Sequence, residues 1–273
     1  MRNLVAVFTA AVLTGCALLA PPRANVPPFA QVPYQPISRE AIVAIAKREW
    51  RLFGSRVDDG PDQMNDGNEK PEREEGLWQR VGEYWWEGMT AGAPESGWTG
   101  KHDEKGSVFP PDRGAEHPWS AAFVSYVMRI AGAGKLFPYS PDHARYIDIA
   151  KRVKSGAVSG FAIVAERPDS YAPEPGDLLC FGRDEAGDLT YDDLPVGHYF
   201  PAHCEFVVDI SGSGTIAAIG GNDRDAVVLR HIAGTQGMLA SPPFEGGHWL
   251  AILRFVGPTT AESAVVPGVA QPK

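Results

Sequence analysis

The spacing of the hydrophobic positions changes near residue 160. Before that point apolar residues recur every three or four positions, which predicts helices after Ser38, around 73–90, at 119–131 and from Ser140. After it come short apolar runs separated by turn residues, which are typical of strands. These runs lie at 161–164, 177–181, 205–208, 216–219, 226–229 and 249–255. A helical part (38–155) followed by a strand part (160–256) predicts one α+β domain, with N-terminal helices packed on a C-terminal antiparallel sheet.

The composition of the 273 residues is that of an ordinary globular protein. Hydrophobic residues make up 44% of the chain and charged residues 22%, which excludes a disordered chain and a polytopic membrane protein. The formal net charge is −9, and this acidic balance argues against nucleic acid as a partner. Three cysteines are too few for a disulfide scaffold.

The N-terminal segment has the layout of a bacterial export signal. Arg2 precedes an apolar stretch at 4–13 that is too short to span a bilayer. The next residues, Leu-Thr-Gly-Cys at 13–16, resemble the lipobox of bacterial lipoproteins. That resemblance implies a signal peptide at 1–15 and a lipidated Cys16, whose acyl chains would anchor the protein in a bilayer. The alternatives are an ordinary secretion signal with an incidental cysteine and an uncleaved anchor.

Two further segments flank the predicted domain. Six prolines in the segment 16–37 predict an extended tether, and the small and polar residues at 257–273 predict a flexible tail. Because Ala17 stands where an aspartate would retain a lipoprotein in the inner membrane, the expected location is the periplasmic face of the outer membrane.

Four short motifs resemble one known superfamily. They are Pro-Trp-Ser-Ala-Ala-Phe-Val-Ser at 118–125, Pro-Gly-Asp-Leu at 175–178, His-Cys-Glu-Phe-Val-Val at 203–208 and Gly-Gly-Asn at 220–222. Their order and spacing are similar to those of CHAP and NlpC-type domains, the papain-like hydrolases of bacterial cell walls, over about residues 110–256. The sequence resembles more closely a family within that superfamily, the domain of unknown function 2272. The resemblance implies a papain-like fold.

The same resemblance implies a catalytic site. It places Ser120 at the nucleophile position, His203 at the position of the general base and Asn222 where a third group orients that base. The superfamily normally has cysteine at the position of Ser120, and a hydroxyl is several pH units less acidic than a thiol. Simpler roles remain open for each residue: Ser120 as a helix cap, His203 as a strand residue beside a cleft, and Asn222 as a turn residue.

Two classes of function follow from the resemblance. The first is an envelope lipoprotein that cleaves amide bonds in peptidoglycan, as an amidase or as an endopeptidase of the peptide stems. The second is a catalytically degenerate protein that binds peptidoglycan or assists envelope assembly on the same fold. In both, the expected partners are peptidoglycan peptide stems and, through Cys16, a lipid bilayer. A third outcome is that a different cysteine has replaced the nucleophile.

Cys204 adjoins His203, but neighbouring strand residues point to opposite faces, which argues against Cys204 as nucleophile. Cys180 lies on the strand expected to pair with it. The sequence leaves open whether the two form a disulfide or two buried free thiols. His198, His203 and Cys204 suggest zinc only weakly, because no further ligand pair is evident. We expect no metal and no cofactor.

Aromatic and histidine side chains at helical spacing give the last candidates. Trp85, Trp98 and Trp119 are candidates for lining a substrate groove, although burial in the core is the default for tryptophan. His143 and Tyr146 lie one helical turn apart, on a face that can pack toward the site. Core or capping roles are the simpler interpretation of that pair.

Overall fold

Helices precede strands in the chain. The computed structural model describes residues 36–60, 70–89, 93–243 and 247–257. The α-helices in these residues are α1 (Arg39–Leu52), α2 (Leu77–Gly88), α3 (Ser120–Ile130) and α4 (His143–Lys154). The strands are β1 (Ile163–Glu166), β2 (Leu178–Gly182), β3 (Ala202–Ile210), β4 (Ile216–Asp223), β5 (Ala226–Ile232), β6 (Gly234–Thr235), β7 (Met238–Leu239) and β8 (Trp249–Phe255). This order confirms the α+β prediction.

Local hydrogen bonds explain where two of the helices begin. The hydroxyl of Ser38 accepts a hydrogen bond from the amide of Ala41 at 3.2 Å, so α1 starts as its N-cap serine predicts. The start predicted for α4 was wrong by two residues. The hydroxyl of Ser140 accepts from the amide of Asp142 at 3.0 Å, which makes a turn through the proline, and the helix begins only at His143.

Six strands form one antiparallel sheet in the order β1-β8-β2-β3-β4-β5, and β6 and β7 form a separate two-stranded ribbon. β2 and β3 pair with Cys180 opposite Cys204 and with Phe181 opposite His203. Because side chains alternate along a strand, this register separates Cys204 from His203 on the two faces of β3.

The helices bury their apolar faces against the sheet. Helix α3 is buried from Ser120 to Met128 and lies against β3 and β4. Phe123 of α3 packs edge-on against Phe206 of β3, with the ring centroids 6.4 Å apart. Gly221 of β4 allows this close approach, because a Cβ at that position would lie 2.6 Å from the Phe123 side chain. The contact fixes the N-terminus of α3 over the middle of the sheet.

The predictions for the terminal segments fall almost entirely outside the described residues. They are the signal peptide, the lipidated Cys16, the tether and the tail. Within the residues that the structure describes, no helix combines the length and the hydrophobicity needed to cross a membrane.

Candidate functional site

A cleft of about 430 Å³ opens beside the N-terminus of α3. Ser120, His143 and Asn222 contribute to its wall, so two of the three predicted catalytic residues lie in one cleft. The remaining wall carries charges of both signs, from Lys70, Arg183, Arg224, Asp142, Asp184 and Asp225. The cleft therefore offers a hydroxyl, an imidazole and a mixed set of charges to a bound molecule.

Ser120 is the first residue of α3, and its position is held by the residue before it. Trp119 is the N-cap of the helix and is 1% exposed. Its indole N–H donates to Oε2 of Glu72 at 2.6 Å. The first amides of a helix have no acceptor within the helix and carry the positive end of its dipole. An anion that develops at Ser120 would be stabilised by both effects.

The hydroxyl of Ser120 has a histidine partner, and that partner is His143. Oγ of Ser120 lies 2.7 Å from Nε2 of His143, at the start of α4. On the other side of the ring, Nδ1 is hydrogen-bonded to the hydroxyl of Tyr146, one helical turn further on. If Ser120 donates to Nε2, then Nδ1 carries the proton and donates to the Tyr146 oxygen. A hydroxyl, a histidine and a group that orients that histidine are the parts that acyl transfer requires, so this arrangement is chemically capable of it.

The burial of this triad sets its protonation. Burial lowers the pKa of His143 well below its usual range, and the nearby His203 and Arg183 lower it further. At neutral pH the imidazole is therefore uncharged and can accept a proton. Burial also raises the pKa of Tyr146 well above its ordinary value, so its hydroxyl remains protonated. Ser120 and His143 are each 5% exposed, and both reach the cleft.

His203, the base that the sequence predicted, lies behind His143 and is fully buried. The two imidazole rings are 5.4 Å apart between centroids. Nε2 of His203 faces Glu205 and Asp223 rather than the hydroxyl of Ser120, at 3.7 Å from a carboxylate oxygen of each. The structure thus brings Ser120 to His143, while His203 belongs to an acidic cluster on β3 and β4.

Asn222 lies in the cleft wall at an irregular point of β4. The register between β4 and β5 shifts between Gly221 and Asp223. Asn222 has a φ of 60°, a left-handed conformation that asparagine adopts more readily than most residues. This bulge turns Asn222 toward the cleft and Asp223 toward His203.

The prediction of a tryptophan groove is wrong for two of its three residues. Trp85 and Trp119 are each 1% exposed and belong to the core. Trp98 is half-buried and packs edge-on against Trp85 and His117, with ring centroids 5.1 and 4.5 Å apart. Trp119 packs against Phe53 and Tyr84, with ring centroids 5.9 and 5.7 Å apart. Burying large apolar side chains in this way is worth more than exposing them along a groove.

Cys180 and Cys204 form a disulfide, with their Cα atoms 4.2 Å apart. Of the two arrangements that the sequence left open, the structure has this one. The bond removes Cys204 as a nucleophile and as a metal ligand. The weak zinc hypothesis therefore fails for the set of His198, His203 and Cys204, since His198 is also exposed while His203 is buried.

Sequence reasoning missed the role of His143. The signal that was available is the pair His143 and Tyr146, three positions apart on a predicted helix whose start follows a turn. That spacing puts both side chains on one face of the helix. The sequence alone does not show that the face lies against the N-terminus of α3.

One comparison with known proteins gives a match. The model of a family described as "Uncharacterized protein conserved in bacteria (DUF2272)" matches residues 72–255, which include α2 to α4 and the whole six-stranded sheet. No curated protein and no solved structure matches the chain.

Proposed function

We propose that this chain, which belongs to the DUF2272 family, is a serine-type hydrolase that cleaves amide bonds in peptidoglycan from the bacterial cell envelope. The observation that carries the proposal is the 2.7 Å contact between Oγ of Ser120 and Nε2 of His143. It lies at a helix N-terminus and in a cleft that has room for a peptide. The nucleophile is the one that the sequence predicted, whereas the base is His143 in place of His203.

The chemistry follows from this geometry. Nε2 of His143 takes the proton of Ser120 as Oγ bonds to the carbonyl carbon of the substrate, and the amides at the start of α3 stabilise the resulting oxyanion. When the carbon–nitrogen bond breaks, His143 returns that proton to the leaving amine. An ester remains on Ser120. Water attacks this ester after giving a proton to His143, and the proton then passes to the departing Oγ, which restores the site.

Tyr146 has a positioning role in this scheme. Its oxygen accepts the Nδ1 proton and fixes the tautomer in which Nε2 is free to accept. The cation that forms on His143 during turnover would be stabilised by this contact only weakly, since a phenol carries no charge. We therefore expect slower catalysis than a carboxylate would give at the same position.

Two features support peptidoglycan as the substrate class. Peptide stems of peptidoglycan carry both ammonium and carboxylate groups, and the cleft wall has lysine, arginine and aspartate side chains in reach of both. The sequence also resembles the papain-like CHAP and NlpC-type hydrolases of cell walls. In those domains a nucleophile at a helix N-terminus faces an antiparallel sheet, and the packing of α3 against β3 and β4 is compatible with that arrangement. Anchoring through a lipidated Cys16 in the outer membrane would place the domain next to the wall.

The test is incubation of the purified full-length chain, in detergent, with isolated sacculi, followed by mass spectrometry of the released muropeptides. Ser120→Ala and His143→Ala should each lower release by at least about a thousandfold, and the double variant should be little slower than either one. Asn222→Ala should cost less. His198→Ala is the control: it removes an exposed histidine that does not line the cleft, and it should retain the wild-type rate.

The muropeptide assay also decides whether His143 or His203 is the general base. If His203→Ala abolishes release while His143→Ala leaves it intact, the structure-based assignment is wrong and the sequence-based one is right. Full activity of Ser120→Ala would remove the nucleophile, and with it the proposed mechanism.

A non-catalytic role in wall binding is the second candidate. It is favoured by one observation, the hydroxyl at a position where the similar superfamily has a thiol. It predicts that wild type releases no muropeptides and that Ser120→Ala still sediments with sacculi.

A further inference from the structure

Three side chains of types that can bind metals converge behind the cleft without contributing to the proposed reaction. They are His203 and Glu205, two positions apart on β3, and Asp223 at the end of β4. One ligand atom from each, a ring nitrogen or a carboxylate oxygen, lies within 4.8 Å of the others. Each residue is at most 2% exposed.

The imidazole of His203 stands too far from both carboxylates of this cluster for a hydrogen bond. Nε2 of His203 lies 3.7 Å from Oε1 of Glu205 and 3.7 Å from Oδ2 of Asp223, whereas an N–H···O bond spans about 2.7–3.2 Å. Neither ring nitrogen of His203 has a hydrogen-bond partner among the described residues. A buried imidazole in this condition is costly. Two ligands bound to one ion at about 2.1 Å in tetrahedral geometry stand about 3.4 Å apart, which is close to the spacing seen here.

Gly220 provides an independent indication that the space between these groups is kept open. It lies on β4, beneath the cluster. A Cβ at Gly220 would stand 2.9 Å from Nε2 of His203, 3.0 Å from Oδ2 of Asp223 and 3.0 Å from Cγ of Glu205. The glycine therefore faces the centre of the three side chains, where any other residue would push them apart.

Arg230 of β5 orients the carboxylates from the far side. Its Nη2 donates to Oδ1 of Asp223 at 2.8 Å, and its Nη1 lies 3.4 Å from Oε1 of Glu205. Asp223 thus uses one oxygen for the guanidinium and turns the other toward His203. In metal centres, a carboxylate that binds the ion with one oxygen is typically held in place by a hydrogen bond to its other oxygen.

We propose that His203, Glu205 and Asp223 hold a divalent transition-metal ion. One imidazole nitrogen and two carboxylate oxygens form a donor set that suits zinc, manganese or ferrous iron. Because the three side chains are closed off from solvent, the ion has a structural role: it ties β3 to the end of β4, next to Asn222 and the cleft. This site is independent of the proposed hydrolysis, which needs no metal.

The test is titration of the full-length chain, first freed of metal with a chelator, with Zn²⁺ and in parallel with Co²⁺. We expect one equivalent of Zn²⁺ to bind, a visible d–d absorption band when Co²⁺ binds, and a higher melting temperature with either metal. Asp223→Asn, which keeps the side-chain shape, should weaken binding at least about a hundredfold. Gly220→Ala should weaken it as well, by filling the space from below.

Asp59→Asn is the matched control. Asp59 also contacts a histidine, with Oδ2 at 2.9 Å from Nδ1 of His231, but that pair is on the surface. The Asp59→Asn variant should still bind one equivalent of Zn²⁺ with the affinity of wild type. The proposal is overturned if wild type binds no equivalent of Zn²⁺ and shows no Co²⁺ band, or if Asp223→Asn and Asp59→Asn bind equally well. Absence of metal binding to wild type would be decisive without any variant. It would indicate that Glu205 and Asp223 share a proton instead of binding an ion.

Discussion

Glu72 makes the stability of the domain depend on pH. Its carboxyl is 3% exposed and accepts the indole N–H of Trp119, immediately before the proposed nucleophile. Burial raises the pKa of Glu72 from 4.5 to about 7, and the nearby Asp225 adds to the rise, while the bond from Trp119 opposes it. The group that fixes the N-terminus of α3 therefore titrates close to neutrality.

The sign of the effect follows from proton linkage. Because the folded-state pKa is above the unfolded one, the folded chain binds the proton more tightly. Glu72 then carries no penalty below about pH 4.5, and stability falls as the pH rises toward 7. The pKa difference of about 2.5 units corresponds to about 3 kcal/mol in the free energy of unfolding. Residual solvation of the carboxylate reduces the change between pH 5 and pH 8 to about 2 kcal/mol.

Glu72→Gln isolates this contribution. The amide oxygen still accepts from the indole, but the side chain no longer ionises. We expect the free energy of unfolding of wild type, measured by urea denaturation with tryptophan fluorescence, to fall by about 2 kcal/mol more than that of the variant between pH 5 and pH 8. Glu87→Gln, an exposed change on α2, should follow wild type. Parallel curves for wild type and Glu72→Gln would refute the reasoning, because the other titrating groups cancel in that comparison.

Two further predictions concern stability. The Cys180–Cys204 bond closes a loop with a sequence separation of 24; by the chain-entropy estimate, replacing both residues with alanine should lower the free energy of unfolding by about 3.5 kcal/mol, and an unchanged urea midpoint would contradict this. Gly221→Ala should cost about 1–3 kcal/mol, because the new methyl group would stand 2.6 Å from Phe123. Gly212→Ala, which has no atom within 4 Å of its Cβ position, should be neutral in the same assay.

The sequence predicted those parts of the fold that depend on residues close together in the chain. Each of the six predicted strand runs overlaps a strand of the main sheet, because short apolar runs between turn residues can bury both faces only within a sheet. Ser38 predicted the start of α1 because its cap is formed by neighbours in the sequence. The strand order was not predictable: β8 lies between β1 and β2, and no local signal encodes pairings between residues that are roughly 70 to 90 positions apart.

The site was predictable in its parts and not in its pairings. Ser120 and Asn222 share a cleft, as the resemblance implied. The partner of Ser120 was missed because two histidines from different elements, His143 of α4 and His203 of β3, lie next to each other in space. A linear motif identifies His203 through its strand, whereas only packing shows which ring reaches the hydroxyl. The buried tryptophans show the same limit, since helical spacing fits a core face and a groove wall equally well.

In the proposed mechanism, a serine at position 120 needs the contact with His143 more than a cysteine would. A cysteine can hold its negative charge beside a histidine before substrate arrives, so the base needs only to be near. A serine stays protonated and must release its proton during the attack, so its base has to be hydrogen-bonded to it. His143 meets this requirement at 2.7 Å, whereas Nε2 of His203 points toward the carboxylates of Glu205 and Asp223. If this reasoning holds, the double variant Ser120→Cys/His143→Gln should release some muropeptides, whereas His143→Gln alone should release none. If the double variant and His143→Gln are equally inactive, the thiol depends on His143 as strictly as the hydroxyl does, and the reasoning is wrong.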